Sequence, residues 1–322
     1  MSLIACRVLA LLLSLAPPEP ADNVSIELAP VEIVAPELEP ASEPAPTPTP
    51  ELAPTPAPEP VAREPMPRPL PDIRFRLDID LPLFVGFAAV WGVTEGFKAQ
   101  VAPDECRWCS PGPVARSTAN ALVWRKPEAA ALTSDLVAYA GIPLTALTLT
   151  LVGVGREGEW RRIHEDLLVA LEAVALTAAL TNGIKMATAR TRPYAIHAAE
   201  PIPFAEDPDQ YMSFPSGHTS FAFSLATSFA SVATLRGRKL APLYWGLGVP
   251  AAAFVGYLRM AGDRHWLGDV LFGAGLGTLV GVGMPWLLHH PRTGLIPRKK
   301  TKKTRTISVM PTPRGLSVAG RF

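Results

Sequence analysis

The chain has 322 residues, 48% hydrophobic and 18% charged, with 36 prolines, a mean hydropathy of +0.20 and a formal net charge of +1. This is too apolar and too rich in proline for an ordinary soluble domain, and the apolar side chains fall into blocks that a solvent-facing fold does not need. A net charge so near zero names no partner by itself, and no nucleic-acid partner is expected.

Residues 1–16, "MSLIACRVLALLLSLA", carry an apolar core from Val8 to Ala16 that is too short to span a bilayer and suits the central region of an export signal. Arg7 is its one positive charge and Pro17 would follow a cut after Ala16. A cleaved signal and an uncleaved apolar N-terminus therefore stand as equal readings. Residues 17–75 are expected to be a disordered or polyproline-like linker. Half of the 36 prolines lie there among Ala, Glu and Thr, with almost no side chain to bury.

Residues 76–290 are expected to form an all-α, polytopic membrane helix bundle of about six transmembrane helices. The apolar segments are Leu81–Ala99, Ala131–Val154, Leu167–Met186, Ser220–Leu235, Leu243–Ala261 and Val270–Leu288. The first contains Gly86, Gly92, Glu95 and Lys98, so a helix lying along the membrane, which leaves five spans, is the rival reading. After it, "ECRWCS" places Cys106 and Cys109 in a pair. Without a partner pair, zinc is disfavoured; a local disulfide and two structural thiols are equally weighted.

The segment 291–322 is a basic tail, with Arg292, Arg298, Lys299, Lys300, Lys302, Lys303, Arg305, Arg314 and Arg321 and no acidic residue. Positive charge favours the cytoplasmic side, which places the tail inside and the joints 187–219 and 262–269 on the outer face of the cell membrane. The same count puts the N-terminus inside, in conflict with a cleaved signal.

Those two outer joints hold the unusual residues. "KMATARTRPY" places Lys185, Arg190 and Arg192 at the outer end of the third segment, where positive-inside anchoring does not explain them. Phosphate does, because arginine presents a planar fork to its oxygens and lysine adds a point charge. "FPSGHTSF" then leads into the fourth segment: the Ser216 hydroxyl, the close approach allowed by Gly217 and the free N–H groups of a helix start favour an anion. His218 stands beside them, able to give or take a proton. Finally, "LRMAGDRHWLGDV" holds Arg259, His265 and Asp269. His265 and Asp269 are four apart on one helix face, so the carboxylate can hold one ring nitrogen and leave the other as a nucleophile. A plain serine cap, an interfacial histidine and Asp269 as a helix cap are the bland readings of the same residues.

Taken in order, Lys185-x6-Arg192-Pro193, Pro215-Ser216-Gly217-His218 and Arg259-x5-His265-x3-Asp269 resemble the three signature motifs of the type 2 phosphatidic acid phosphatase superfamily, the lipid phosphate phosphatases. The resemblance covers roughly residues 80 to 290. One departure is visible: the serine usual before the third-motif arginine is Leu258, a change expected to alter local packing and not activity. The resemblance implies catalysis by His218, His265 and Asp269, with Lys185, Arg192, Ser216, Gly217 and Arg259 binding substrate, and with no metal and no cofactor. His265 would attack phosphorus to give a phosphohistidine, Asp269 would orient it, and His218 would protonate the leaving oxygen and later activate water. Arg190 and Arg264 fall outside the matching positions and read as interface anchors or headgroup contacts.

The expected function is hydrolysis of a lipid phosphate monoester or diphosphate at the outer face, the partners being a phosphorylated lipid substrate and membrane lipids. A lipid phosphotransferase and a non-catalytic membrane scaffold of the same fold are the alternatives; retention of both His218 and His265 weighs against the scaffold. The motifs contact phosphate and do not choose among lipids, and they carry no oligomeric state. The acidic loop 195–212 reads either as a gate or as an ordinary solvated loop.

Overall fold

The structure, a computed structural model, describes residues 71–298, 306–312 and 315–321. The expected signal at 1–16 and nearly all of the linker lie outside the described residues.

The chain runs α1 (Leu77–Gly96), α2 (Lys98–Val101), α3 (Pro113–Leu122), α4 (Pro127–Leu136), α5 (Ile142–Glu157), α6 (Ile163–Thr188), α7 (Pro193–His197), α8 (Gly217–Leu235), α9 (Ala241–Ala261) and α10 (Leu267–His289). A wide turn at Val137–Gly141 joins α4 and α5 into one rod. Such a turn adds one residue between successive backbone hydrogen bonds and re-aims the side chains beside it. A two-stranded antiparallel hairpin, β1 (Thr306–Thr312) with β2 (Gly315–Arg321), lies in the segment expected to be only a basic tail.

Among the described residues, five stretches are long and apolar enough to cross a bilayer: Leu77–Gly96, Pro127–Glu157, Trp160–Thr188, Ala241–Ala261 and Leu267–His289. The protein is a multi-pass membrane protein of helical architecture. The fourth expected span, now α8, is 19 residues long and is not among the five. Its physical setting explains why. Helices α5, α6, α9 and α10 surround it, and Ser220, Ser224, Thr227, Ser228 and Ser231 are all buried along it. A helix covered by protein on every side needs no lipid-facing apolar stripe, and small hydroxyl residues let its neighbours approach. Conversely α1, which the sequence leaves between spanning and lying flat, is apolar enough and has one buried residue, Asp80.

The closest crossing is α8 against α10. Gly273, Gly277 and Gly281 recur every four residues and form one edge of α10. A Cβ at Gly273 would lie 2.8 Å from the Ser216 carbonyl, one at Gly277 would strike the Ser220 carbonyl and lie 2.9 Å from Ser224 N, and one at Gly281 would lie 2.7 Å from the Ser224 carbonyl. Backbone therefore meets backbone along this seam, which sets α8 close to the helix that carries Asp269.

The two ends of the bundle differ. At one end lie the joints 97–126, 189–216 and 262–266, tied by Thr191 N–H to the Trp108 carbonyl (3.2 Å), Trp124 N–H to the Ala261 carbonyl (3.0 Å) and Tyr194 N–H to the Asp263 carbonyl (3.1 Å). At the other end Arg236 and Arg238 are buried. Arg236 Nε donates to Asp166 Oδ1 (2.8 Å) and Arg238 Nη1 to Glu157 Oε2 (2.7 Å), so these cations stitch α5, α6 and α8 together.

Candidate active site

The first motif forms at the end of α6. Lys185 sits in its last turn, and the helix stops at Ala189, which adopts φ 43° and ψ 52°. That left-handed residue reverses the chain, an uncommon conformation for a residue with a Cβ. It carries Arg190 back beneath the joint 97–126, where its guanidinium carbon lies 3.8 Å from the centre of the Trp108 ring. Arg192 follows, buried, with its Nε donating to the Asp209 carbonyl (2.8 Å).

The second motif opens α8 just after the cis Phe214–Pro215 peptide. The amides of Gly217, His218 and Thr219 precede the first intrahelical bond, which Ser220 N–H makes to the Ser216 carbonyl (2.9 Å). Lys185 points at this helix start: a Cβ on Gly217 would lie 3.1 Å from Lys185 Nζ. The glycine is what gives the ammonium room to approach. Ser216 itself is buried with its Oγ 2.8 Å from Thr219 Oγ1, so its hydroxyl is engaged within the helix start. His218 Nε2 lies 2.8 Å from Asp135 Oδ1, at ion-pair distance without the alignment of a hydrogen bond. Its ring meets Tyr139 edge-on, with centroids 4.9 Å apart, and Tyr139 is presented by the wide turn after α4.

The third motif spans the short joint from α9 to α10. Arg259 is buried near the end of α9; its Nη1 donates to Ser134 Oγ (3.0 Å) and Asp135 Oδ1 (3.1 Å), and its Nε is buried without a partner among the described residues. His265 is 2% exposed, and its Nδ1–H donates to the Ser213 carbonyl at 2.8 Å. A carbonyl can only accept, so this bond places the proton on Nδ1 and leaves the Nε2 lone pair free. Burial, followed by the positive charges of Arg192, Arg259 and Lys185, pushes the imidazole well below its usual value and keeps it neutral.

Asp269 was expected to hold His265 directly. Its Oδ2 is 3.7 Å from His265 Nδ1, beyond a hydrogen bond, and the carboxylate is instead shared among Ser213 Oγ, the Trp266 N–H (3.0 Å) and Arg190 Nη1. The effect on His265 passes through Ser213, whose hydroxyl Asp269 holds and whose carbonyl fixes the ring. Asp269 also caps α10 from its first turn, so the structural reading of this residue and its place beside the histidine coexist. Its backbone carbonyl accepts the Ser216 N–H (3.0 Å), tying the second motif to the third.

All eight residues singled out from the sequence thus gather at one end of the bundle. Five more gather there that the sequence reading did not name or placed differently. Asp135 bridges Arg259 and His218, and it is the sole charged residue of the segment Ala131–Val154, which was a usable signal because an isolated acid in a membrane span tends to be functional. Arg190, read as an interface anchor or headgroup contact, is buried on Asp269. Arg264, read the same way, lies over the Tyr194 ring at 5.0 Å. Ser213 and Asp209 had no signal beyond their loop. Burial alone would raise the Asp209 carboxyl, but Arg192, Lys185 and Lys98 outweigh it and hold it below the usual range. The C-terminal part of the acidic loop is therefore packed against the cations, and Gln210 and Met212 are buried with it. Cys106 and Cys109, beside Trp108, are joined as a disulfide.

A cluster of Lys185, Arg192, Arg259 and helix-start amides can bind an anion of several oxygens, and a neutral buried imidazole beside it can act as a nucleophile. Comparison with known proteins agrees in kind. Residues 166–292 match the family described as PAP2 superfamily. The lipid A 1-phosphatase of Porphyromonas gingivalis is 31% identical over 172 residues, covering 52% of this chain and 35% of the relative. Lipid phosphate phosphatase 1 of Arabidopsis thaliana is 33% identical over 144 residues, covering 37% and 43%. The chain spans less than half the length of either relative. Among solved structures, a transmembrane PAP2-type phosphatidylglycerolphosphate phosphatase from Bacillus subtilis superposes with a TM-score of 0.38 at 18% identity, over 64% of this chain and 93% of that one. LpxE of Aquifex aeolicus superposes with a TM-score of 0.29 at 23% identity, over 47% and 92%.

Proposed function

The chain carries a PAP2 superfamily domain over residues 166–292, and from that premise we propose that it is a membrane-bound phosphatase acting on a phosphorylated lipid through a phosphohistidine. The observation that carries the proposal is the His265 imidazole, proton-locked on Nδ1 by the Ser213 carbonyl and buried among three cations.

In the first step His265 Nε2 forms a bond to phosphorus as the bond from phosphorus to the lipid oxygen breaks, and His218 delivers a proton to the departing oxygen. In the second, His218 takes a proton from water, the water oxygen bonds to phosphorus, and the Nε2–phosphorus bond breaks to release inorganic phosphate. Lys185, Arg192, Arg259 and the amides at the start of α8 hold the non-bridging oxygens, whose charge is greatest midway. Asp135 suits the His218 role, since a carboxylate 2.8 Å from Nε2 stabilises the protonated ring.

Two features support an outward-facing site. The Cys106–Cys109 disulfide sits at the site's end of the bundle, and disulfides persist in oxidising compartments. Arg292 and Arg298 follow the end of α10 at the opposite end, consistent with a cytoplasmic side. A lipid substrate is supported by an apolar cavity of about 310 Å³ lined by Val137, Ile142, Ala146, Phe229, Tyr244 and Ala251, adjoining the turn that sets Tyr139 on His218. It suits an acyl chain whose headgroup lies at the cations.

Phosphate release from a panel of phosphatidate, phosphatidylglycerol phosphate, polyprenyl diphosphate and lipid A, without added metal, tests the reading. Lipid A is the first to try, given the name of the Porphyromonas gingivalis relative. Activity on at least one lipid, abolished in His265→Ala, is expected. Inactivity on all of them, or an unaffected His265→Ala, would refute the proposal, and transfer of the phosphoryl group to an added alcohol without free phosphate would point to a phosphotransferase.

A further inference from the structure

At the end of the bundle opposite His265, three helices bring together Asp80 of α1, Glu172 of α6 and His289 of α10, each 0% exposed. One oxygen of each carboxylate and one ring nitrogen of His289 lie within 4.8 Å of one another. None of the three belongs to the chemistry described above. Glu172 is the sole acidic residue of the apolar segment Leu167–Met186, and burying it there is costly unless something pairs with it.

Two observations point to a ligand. The first is unmet charge. Asp80 Oδ2 accepts the Arg76 N–H (2.7 Å), but Asp80 Oδ1 and Glu172 Oε1 are buried with no partner, and no Lys or Arg nitrogen comes within 4.0 Å of either carboxylate among the described residues. The second is the state of His289. Its Nδ1–H donates to the Arg74 carbonyl (2.8 Å), which can only accept, so Nε2 is the nitrogen turned to Glu172 Oε2 at 3.2 Å. A bare ring nitrogen and a carboxylate oxygen both present lone pairs at that distance, so a cation or a proton must lie between them. A proton leaves the buried trio with a net negative charge, two carboxylates against one imidazolium. A divalent ion with neutral His289 brings the sum to zero. An imidazole steered by a backbone carbonyl on its far nitrogen is also how metal-binding histidines are held.

We infer that Asp80, Glu172 and His289 hold a divalent transition-metal ion, zinc or manganese, that fastens α1 to α6 and α10. One imidazole and two carboxylates without sulfur suit these ions, whereas calcium and magnesium prefer an all-oxygen shell. Tetrahedral zinc with bonds of about 2.0 Å sets its ligands about 3.3 Å apart, close to the His289–Glu172 separation. All three donor atoms lie within 4.8 Å of one another, so one ion with bonds of about 2 Å would need them to move together only modestly. The fastening has a use, because Asp80 is the only buried residue of α1 and nothing else on that helix is enclosed. The ion takes no part in phosphoryl chemistry, so the inference stands or falls apart from the phosphatase reading.

The untagged full-length protein in detergent, stripped with EDTA and titrated with zinc chloride or manganese chloride alone, provides the test. One equivalent should bind, and the Tm should rise by roughly 5–10 °C at a free metal concentration about 100 times Kd. Asp80→Asn and Glu172→Gln should each lose that rise, and calcium or magnesium should produce little of it. No rise with either transition metal in the unaltered protein, or the same rise in both variants, overturns the inference. Should a variant fail to fold, elemental analysis of the unaltered protein purified in the presence of zinc still decides: metal no higher than the buffer blank overturns it.

Discussion

Replacing Arg190 by Met isolates the role of a residue that the sequence motifs leave out. Arg190 and Asp269 have side chains 5% and 0% exposed, and Arg190 is the one Lys or Arg partner of that carboxylate among the described residues. In Arg190→Met the carboxylate keeps Ser213 Oγ and the Trp266 N–H but is left as a buried charge without a counter-ion. Breaking one half of a buried pair costs about 3–5 kcal/mol, and loss of the stacking on Trp108 adds about 1 kcal/mol. The two remaining hydrogen bonds move the total to the lower part of that range, about 3–4 kcal/mol, a fall in Tm of roughly 6–16 °C. Because Asp269 holds Ser213, and Ser213 holds His265, kcat should fall roughly 10–100-fold, the equivalent of about 1.4–2.7 kcal/mol, while KM changes little. Thermal unfolding and phosphate release on Arg190→Met, Asp269→Asn and the double variant measure both effects. If Arg190 acts through Asp269, the double variant loses no more activity than Asp269→Asn alone. A Tm within about 4 °C of the unaltered protein together with unchanged kcat would return Arg190 to the interface anchor that its sequence position suggests.

Three other expectations come from separate parts of the molecule. Gly277→Ala drives a methyl group into the backbone of α8 and should cost about 1–3 kcal/mol by overpacking, whereas Gly283→Ala, with nothing within 4 Å, should be neutral or slightly stabilising; equal Tm values for the two would mean that the α8–α10 seam is not close-packed. Burial and the neighbouring cations lower the His265 pKa below 6.5, so above about pH 6.5 the group costs nothing, and as pH falls below it the unfolded chain takes up a proton that the folded protein refuses. Stability should then drop by up to about 1.4 kcal/mol per pH unit, and His265→Gln should flatten that slope; matching slopes in pH-dependent unfolding would contradict the assignment of a neutral ring. Ala146→Phe fills the apolar cavity and should raise KM several-fold for long-chain lipids while leaving a short-chain phosphate ester unaffected, and an equal effect on both would deny the cavity to the acyl chain.

The helical membrane architecture was legible in the sequence because apolar blocks of about 20 residues have few other uses. The eight candidate residues that gather at one end of the bundle stood out because their three motifs combine cations, a helix start and histidines where membrane anchors do not explain them. Their supporting partners did not. Asp135, Ser213 and Asp209 lie on segments remote from the motifs they serve, and nothing in local spacing connects Asp135 with His218 or Arg259 across the bundle.

What the sequence by itself determined is a bundle of apolar helices with cations and histidines at one end, since hydrophobic length and charged side chains are properties of short stretches. The tertiary structure decided which helix stands at the centre: from sequence α8 is one apolar segment among six, and its row of hydroxyl residues is buried because its neighbours enclose it. It also decided how His265 is held. Asp269 lies one turn along the helix, as the four-residue spacing requires, but the ring bonds Ser213, which the chain brings over from a loop 52 residues earlier. Backbone carbonyls have no signature in a sequence, so a tautomer fixed by one is visible only after the chain has folded.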